Sequence, residues 1–491
     1  MKQNDPGVRR LVNAVLVPGF VGTTVPAWLA RELEDGLGGV CWFAHNVETR
    51  DATRDLADAI HRLGEHALIW CDEEGGAVSR LDAQSGSPWP GHAALGQLDD
   101  VHATRSVGLG IGTSARESGI DIVLAPVVDV NSDPDNPVIG VRSFGGTPDL
   151  VARHGTAFAA GLQVAGVAAC AKHFPGHGAT AVDSHLEAPV VDAARDVLWQ
   201  RELAPFVAAV ESGVRCLLTA HVVFPAVDSE LATMSSTWMR MLREDLGFDG
   251  VVGTDALDMK AISAGVGRGE GAVRALAAGV DAACIGNPAF PETYDDAEIF
   301  EHVRAAVLGA VDDGRLGMAR LEEAAGRLAE LAAWTRRTEA FPEAPQDGLD
   351  IARRSLAVDG DVAVTGAPLV LMHQAGSMAA GDVRFPLARF LGAERDGTAY
   401  ETVRSGADAV GAMKRHPGQA VVVVTDGLAG GGVVEAVRSA DIDAVVVHNG
   451  PVGTARDLAA PLIRTWGGGA ASARAAAEYL LAEQLLGGRN G

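Results

Sequence analysis

The sequence predicts an α/β protein, a (β/α)8 TIM-type barrel followed by a smaller three-layer α/β domain. Three observations predict it. Eight short apolar runs alternate with amphipathic segments over roughly the first 290 residues, the order that makes parallel strands with helices packed on them. A stretch rich in proline, glycine and acid follows. Strand-like runs then begin again.

The eight runs are Ala14–Val17, Gly39–Phe43, Ala67–Cys71, Ile122–Pro126, Ala168–Ala171, Arg215–Thr219, Gly250–Gly253 and Ala282–Ile285. Each is strand-length and nearly all apolar, as a strand buried on both faces must be. Trp28–Leu37, Arg54–Leu63 and Val151–Val164 read as helices between them, with apolar residues at helical spacing in the last. Eight such units match the usual size of a (β/α)8 barrel. Helical segments fill 300–335, and 338–349 reads as a linker. The predicted division is therefore a barrel over 1–337, that linker, and a second domain over 350–491. In the second domain the predicted strands are Val362–Val364, Leu369–Met372, Ala420–Val424 and Ala444–Val447. The glycine run from Gly427 to Gly432 lacks the lysine of a phosphate loop and the spacing of a dinucleotide fold, and reads as a turn.

Composition narrows the function. A formal net charge of −24 argues against nucleic-acid and anionic-membrane partners, which favour basic surfaces. No segment approaches the ~20 apolar residues of a membrane helix. The five cysteines, Cys41, Cys71, Cys170, Cys216 and Cys284, each sit in or beside an apolar run and form no close pair. They read as reduced core residues, and with no apolar signal segment near Met1 the expected location is cytoplasmic.

In a barrel of this kind the site gathers at the C-terminal ends of the strands. Strand three ends in Asp72-Glu73-Glu74-Gly75-Gly76. Strand four leads to Asp129 and then to Asn136 through Phe144. Strand five runs into Lys172-His173-Phe174-Pro175-Gly176-His177-Gly178, with Asp183-Ser184-His185 beyond. Strand six ends at His221 and strand seven at Asp255. Asp183 stands two residues before His185, where a carboxylate can hold one ring nitrogen and raise the basicity of the other.

The segment from Lys172 to His185 resembles the signature of the β-N-acetylglucosaminidases of glycoside hydrolase family 3. Asp72 to Gly76, Asn136 to Phe144 and Gly253 to Met259 resemble further motifs of that family in its own order. The resemblance implies Asp255 as nucleophile, His185 as acid/base and Asp183 as its partner. It implies that Asp72, Arg80, Arg142, Lys172 and His173 hold the sugar hydroxyls and the N-acetyl group. Ala77 stands where relatives often carry arginine, and Ala256 where many carry a second acid.

The implied reaction is retaining exo-cleavage of a terminal β-linked N-acetylglucosaminide from cell-wall or chitin-type fragments, with no metal and no cofactor. The expected partner is a small carbohydrate substrate. An imidazole acid/base does not repel an anionic acceptor, so a phosphorylase on the same scaffold is an alternative, as is a glucosaminidase. Two other classes remain: a metallohydrolase using His173, His177, Asp183 and His185, and a carbohydrate-binding protein without turnover. Individual residues have plainer readings as well. Asp255 could cap the next helix, Asp72 could cap a turn, Lys172 and Arg142 could form surface ion pairs, and His177 could bond only within its own loop. His221 and Asp129 read as supporting residues.

Overall fold

The computed structural model describes residues 5–134, 136, 138–180, 188–338, 343–373, 385–426, 430–440, 442, 444–451, 458 and 461–481. The chain divides into two compact units. The first comprises 1–74, 104–139 and 146–345; the second comprises 75–103, 140–145 and 346–491.

The first unit contains the eight expected strands: β1 (Leu16–Pro18), β2 (Gly39–Trp42), β3 (Leu68–Cys71), β4 (Ile122–Val123), β5 (Ala168–Phe174), β6 (Cys216–Thr219), β7 (Val251–Thr254) and β8 (Ala283–Gly286). Strands β2 to β7 pair in parallel in chain order. β8 pairs in parallel with β1, and the Gly253–Ala282 bridge links β7 to β8. Beside the remaining seam, Gly38 N–H donates to Asn13 O at 3.1 Å, just ahead of β1 and β2. The result is a barrel of parallel strands. Its interior is packed: a methyl group at Gly253 would lie 3.0 Å from the buried Trp70 ring, so β7 needs glycine where Trp70 fills the space. The helices lie where periodicity places them, for example Arg50–Leu63, which buries Thr53, Leu56, Ala57 and Ile60 on one face.

One row of the register matters for function. Phe174 pairs with Thr219, and Thr219 with Thr254. The C-terminal ends of β5, β6 and β7 are therefore level, and residues just beyond them share one rim.

The second unit has one six-stranded sheet, made of β9 (Ala357–Asp359), β10 (Leu369–His373), β11 (Ala399–Val403), β12 (Val421–Thr425), β13 (Ala444–His448) and β14 (Leu462–Arg464). Their order is β9-β14-β13-β12-β10-β11, with only β9 antiparallel to its neighbour. Apolar clusters cover both faces, one around Val370, Val422 and Val447, the other around Leu371, Val423 and Val446. This is the three-layer α/β arrangement. Val362 and Val364 are not a strand; both are buried in the first cluster, and Val364 N–H donates to Leu480 O at 2.9 Å. Their apolar character serves packing without a ladder partner. β9, β11 and β14 were not expected. β11 is an edge strand whose burial alternates and whose sequence, Ala-Tyr-Glu-Thr-Val, lacks a continuous apolar run. Among the described residues no helix is long and apolar enough to cross a membrane.

Candidate active site

The upper rim of the barrel holds a buried ion cluster. Lys172, near the end of β5, places its ammonium 2.7 Å from Asp72 Oδ1 and 2.8 Å from Glu74 Oε1. The lysine and Glu74 side chains are 2% and 1% exposed, against 18% for Asp72, so the ion pair is internal and only Asp72 keeps an opening to solvent. Side chains two residues apart on an extended chain share a face, and Asp72 and Glu74 use that spacing to grip one cation. Glu74 has no role assigned from sequence, although that i, i+2 spacing of acids after a strand was the signal.

Asp129 is a second hub. Its carboxylate is fully buried and accepts from the His173 ring Nδ1 at 2.7 Å, from the His173 backbone N–H at 3.2 Å and from the His177 backbone N–H at 2.7 Å. Burial alone would raise its pKa; the facing His173 and His177 hold it below the usual carboxylate value. Because His173 gives its Nδ1 proton to Asp129, the ring is fixed in orientation and its chemistry is left to Nε2.

His177 is also buried, with Nδ1 2.7 Å from Thr180 Oγ1. Thr180 donates to His177 O, so the ring nitrogen is the donor in that contact. Burial, then the neighbouring His173, pushes the His177 imidazole down to about 4, against the opposing pull of Asp129 and Asp255. Asn136 Nδ2 donates to His177 O at 3.1 Å, and its Oδ1 accepts from Val138 and Ile139 N–H. The glycines of this segment are required by space. At Gly176, with φ +137°, a Cβ would meet Glu202 Oε2 at 2.7 Å; at Gly178 it would meet Val130 O at 1.9 Å.

Asp255 follows β7 at the level of the row described above and is half-buried. Its backbone N–H donates to Thr219 O at 3.2 Å, and its Oδ1 accepts from Ala256 N–H at 2.8 Å. His221, two residues beyond the end of β6, is fully buried with Nδ1 2.8 Å from Thr233 Oγ1 and Nε2 3.0 Å from Ala256 O. β6 lies between β5 and β7, and the Asp255 charge acts on His177 beyond β5, so Asp255 and the segment from Lys172 to His177 share the upper rim.

The structure thus brings Asp72, Lys172, His173 and Asp255 to one end of the barrel. Arg80 and Arg142 belong to the second unit, where both are half-buried and Arg142 closes the short helix Gly140–Arg142. Asp183 and His185 lie outside the described residues. The metal set raised from sequence includes those two residues; of its other members, His173 commits Nδ1 to Asp129 and His177 commits Nδ1 to Thr180.

Comparison with known proteins matches this arrangement. A β-N-acetylglucosaminidase of glycoside hydrolase family 3 from Paenibacillus sp. str. FPU-7 superposes with a TM-score of 0.84 at 30% identity, over 97% of this chain and 96% of that one. Beta-hexosaminidase A of Pseudoalteromonas piscicida is 34% identical over 334 residues, 63% of this chain. The chain spans 55% of the length of that curated relative. A beta-hexosaminidase of Thiobacillus denitrificans is 36% identical over 275 residues, 54% of this chain and 76% of the relative. The model of the glycosyl hydrolase family 3 N terminal domain matches residues 23–331. With that match covering more than half of the chain and most of the first unit, the chain belongs to glycosyl hydrolase family 3.

Proposed function

We propose that this protein is a retaining exo-β-N-acetylglucosaminidase that cleaves a terminal N-acetylglucosamine from cell-wall or chitin-type fragments. The observation that carries the reading is Asp255: a carboxylate level with the ends of β5 and β6, turned by the Ala256 N–H, on the same rim as the Lys172–Asp72–Glu74 cluster and the His173–Asp129 pair. The related β-N-acetylglucosaminidase and beta-hexosaminidases support the choice of sugar.

In this reading Asp72, Lys172 and His173 hold the glycone, with Arg80 and Arg142 at the N-acetyl and hydroxyl groups. Asp255 attacks C1, the C1–O bond to the aglycone breaks, and a glycosyl ester forms. His185, oriented by Asp183, gives its proton to the leaving oxygen and then takes one from the incoming water. None of the five cysteines forms a disulfide, which fits a reducing compartment and supports a cytoplasmic location.

The test is product analysis with a chromogenic β-N-acetylglucosaminide, with and without inorganic phosphate. Free N-acetylglucosamine in both supports the hydrolase. A sugar 1-phosphate would replace water with phosphate as acceptor and leave Asp255 in place. A preference for the unacetylated glucosaminide would overturn the glycone assignment, and no cleavage at all would overturn the enzyme reading.

A further inference from the structure

We infer that His221 is a positioning residue for the nucleophile, acting through the backbone of Ala256. This inference rests on Asp255 being the nucleophile. Residue 256 is held at both of its peptide groups: its N–H donates to Asp255 Oδ1 at 2.8 Å, and its carbonyl lies 3.0 Å from His221 Nε2. A carbonyl only accepts, so His221 carries a proton on Nε2 and donates it to Ala256 O. The ring is buried completely and held from behind by the Thr233 hydroxyl, 2.8 Å from Nδ1. That hydroxyl gives its one proton to Nδ1, the acceptor nitrogen of a ring protonated at Nε2, and lies 2.9 Å from Ala220 O and 3.0 Å from the Thr219 hydroxyl.

The consequence is a short mechanical chain from β6 to the reacting carboxylate. Thr219 fixes Asp255 through the backbone N–H of Asp255, and His221 fixes the next residue along, whose own N–H sets the rotation of the carboxylate. A nucleophile must sit within a narrow range of approach to C1, and a misplacement of about 1 Å can cost ~100-fold in rate. Ala256 has no polar side chain, so residue 256 acts on the carboxylate through its backbone alone, and holding that backbone helps to set the angle.

The test uses a 5-fluoro-N-acetylglucosaminyl fluoride as trap with the full chain. Asp255 forms a C1–O ester as the C1–F bond breaks and fluoride leaves, and slow ester hydrolysis lets mass spectrometry locate the label. His221→Leu keeps bulk but removes the donor; His221→Gln restores an N–H near the Nε2 position. The expected result is labelling of Asp255 in all three proteins, with trapping slowed about 10- to 100-fold by His221→Leu and within about threefold of the parent in His221→Gln. If His221→Leu does not fold, Thr233→Val, which removes the hydroxyl behind the ring, replaces it and is expected to slow trapping severalfold with unchanged saturation by the trap. Trapping at the parent rate in the variant lacking the donor, or equal slowing in His221→Leu and His221→Gln, overturns the inference while Asp255 stands. A label on a residue other than Asp255 in the parent protein overturns the Asp255 reading, and this inference with it.

Discussion

The two ends of the barrel both bury carboxylates, and hold them with different donors. At the lower end Asp281, just ahead of β8, is fully buried and surrounded by Arg243 at 2.6 Å, Arg327 at 3.2 Å and Arg320. It also accepts from Val252 N–H at 3.0 Å. One acid there meets three guanidinium groups, which tie the start of β8 to the helical segments that carry them. At the upper end one ammonium, that of Lys172, faces two acids, Asp72 and Glu74, and Asp129 accepts from an imidazole and two backbone donors. Both clusters reach solvent only at their edges, through arginines 17–20% exposed below and through Asp72 at 18% above. Barrels place stability at the bottom and chemistry at the top, and the upper cluster is the one that shares its rim with Asp255.

The sharpest way to break the comparison is to remove one acid from each end. Asp255→Ala should lower glycosidic cleavage by on the order of ten-thousand-fold or more, with its urea midpoint near that of the parent. Asp281→Ala should do the reverse, costing about 3–5 kcal/mol of stability because Arg243 loses its carboxylate and Arg320 and Arg327 keep only the more exposed Glu323. The folded fraction of that variant should retain its kcat/KM, read below its melting temperature. Loss of turnover without loss of stability in Asp281→Ala would erase the distinction.

Lys172→Met tests whether the upper cluster is structural as well. Two carboxylates would face each other without their cation, and the expected cost is again about 3–5 kcal/mol by denaturant unfolding, together with a raised KM. A purely functional lysine would change KM and leave the unfolding curve alone.

The smallest effect concerns pH. His177 is held neutral by burial, with a folded value of about 4 against 6.5 for the free side chain. Above pH 6.5 it is neutral in both states and costs nothing. As pH falls from about 6.5 toward 4 the unfolded chain takes up a proton that the folded one does not, and stability falls by about 3 kcal/mol over that window before levelling off. Urea unfolding at pH 7.5 and pH 5 should show this decline, and His177→Gln should flatten it by a comparable amount. An equal decline in both proteins would assign the pH dependence to other groups.

Much of this architecture is written in the sequence because parallel strands buried on both faces have little freedom in composition. Val-Cys-Trp in β2 and Leu-Ile-Trp-Cys in β3 are nearly continuous apolar runs, and all eight barrel strands are found within a few residues of their expected bounds. β11 was invisible because an edge strand with one exposed face tolerates Tyr400 and Glu401. Val362 and Val364 misled because burial in a core and membership of a ladder leave the same apolar trace. At the site, Lys172 and Asp72 were legible by their motif. Their contact with each other was not, since 100 residues separate them. Asp129 and His221 act through backbone groups, which carry no residue signature. Nothing in the letters of Ala256 shows that its carbonyl is held.

The central claim is that Asp255 is the group that joins to the sugar. Azide rescue of Asp255→Ala with an activated aryl β-N-acetylglucosaminide tests it most directly, because a small anion can occupy the vacated carboxylate position and attack from the same side. The account predicts restored cleavage and an α-configured N-acetylglucosaminyl azide. A β-configured azide, or unimpaired release of the sugar without azide, would contradict it.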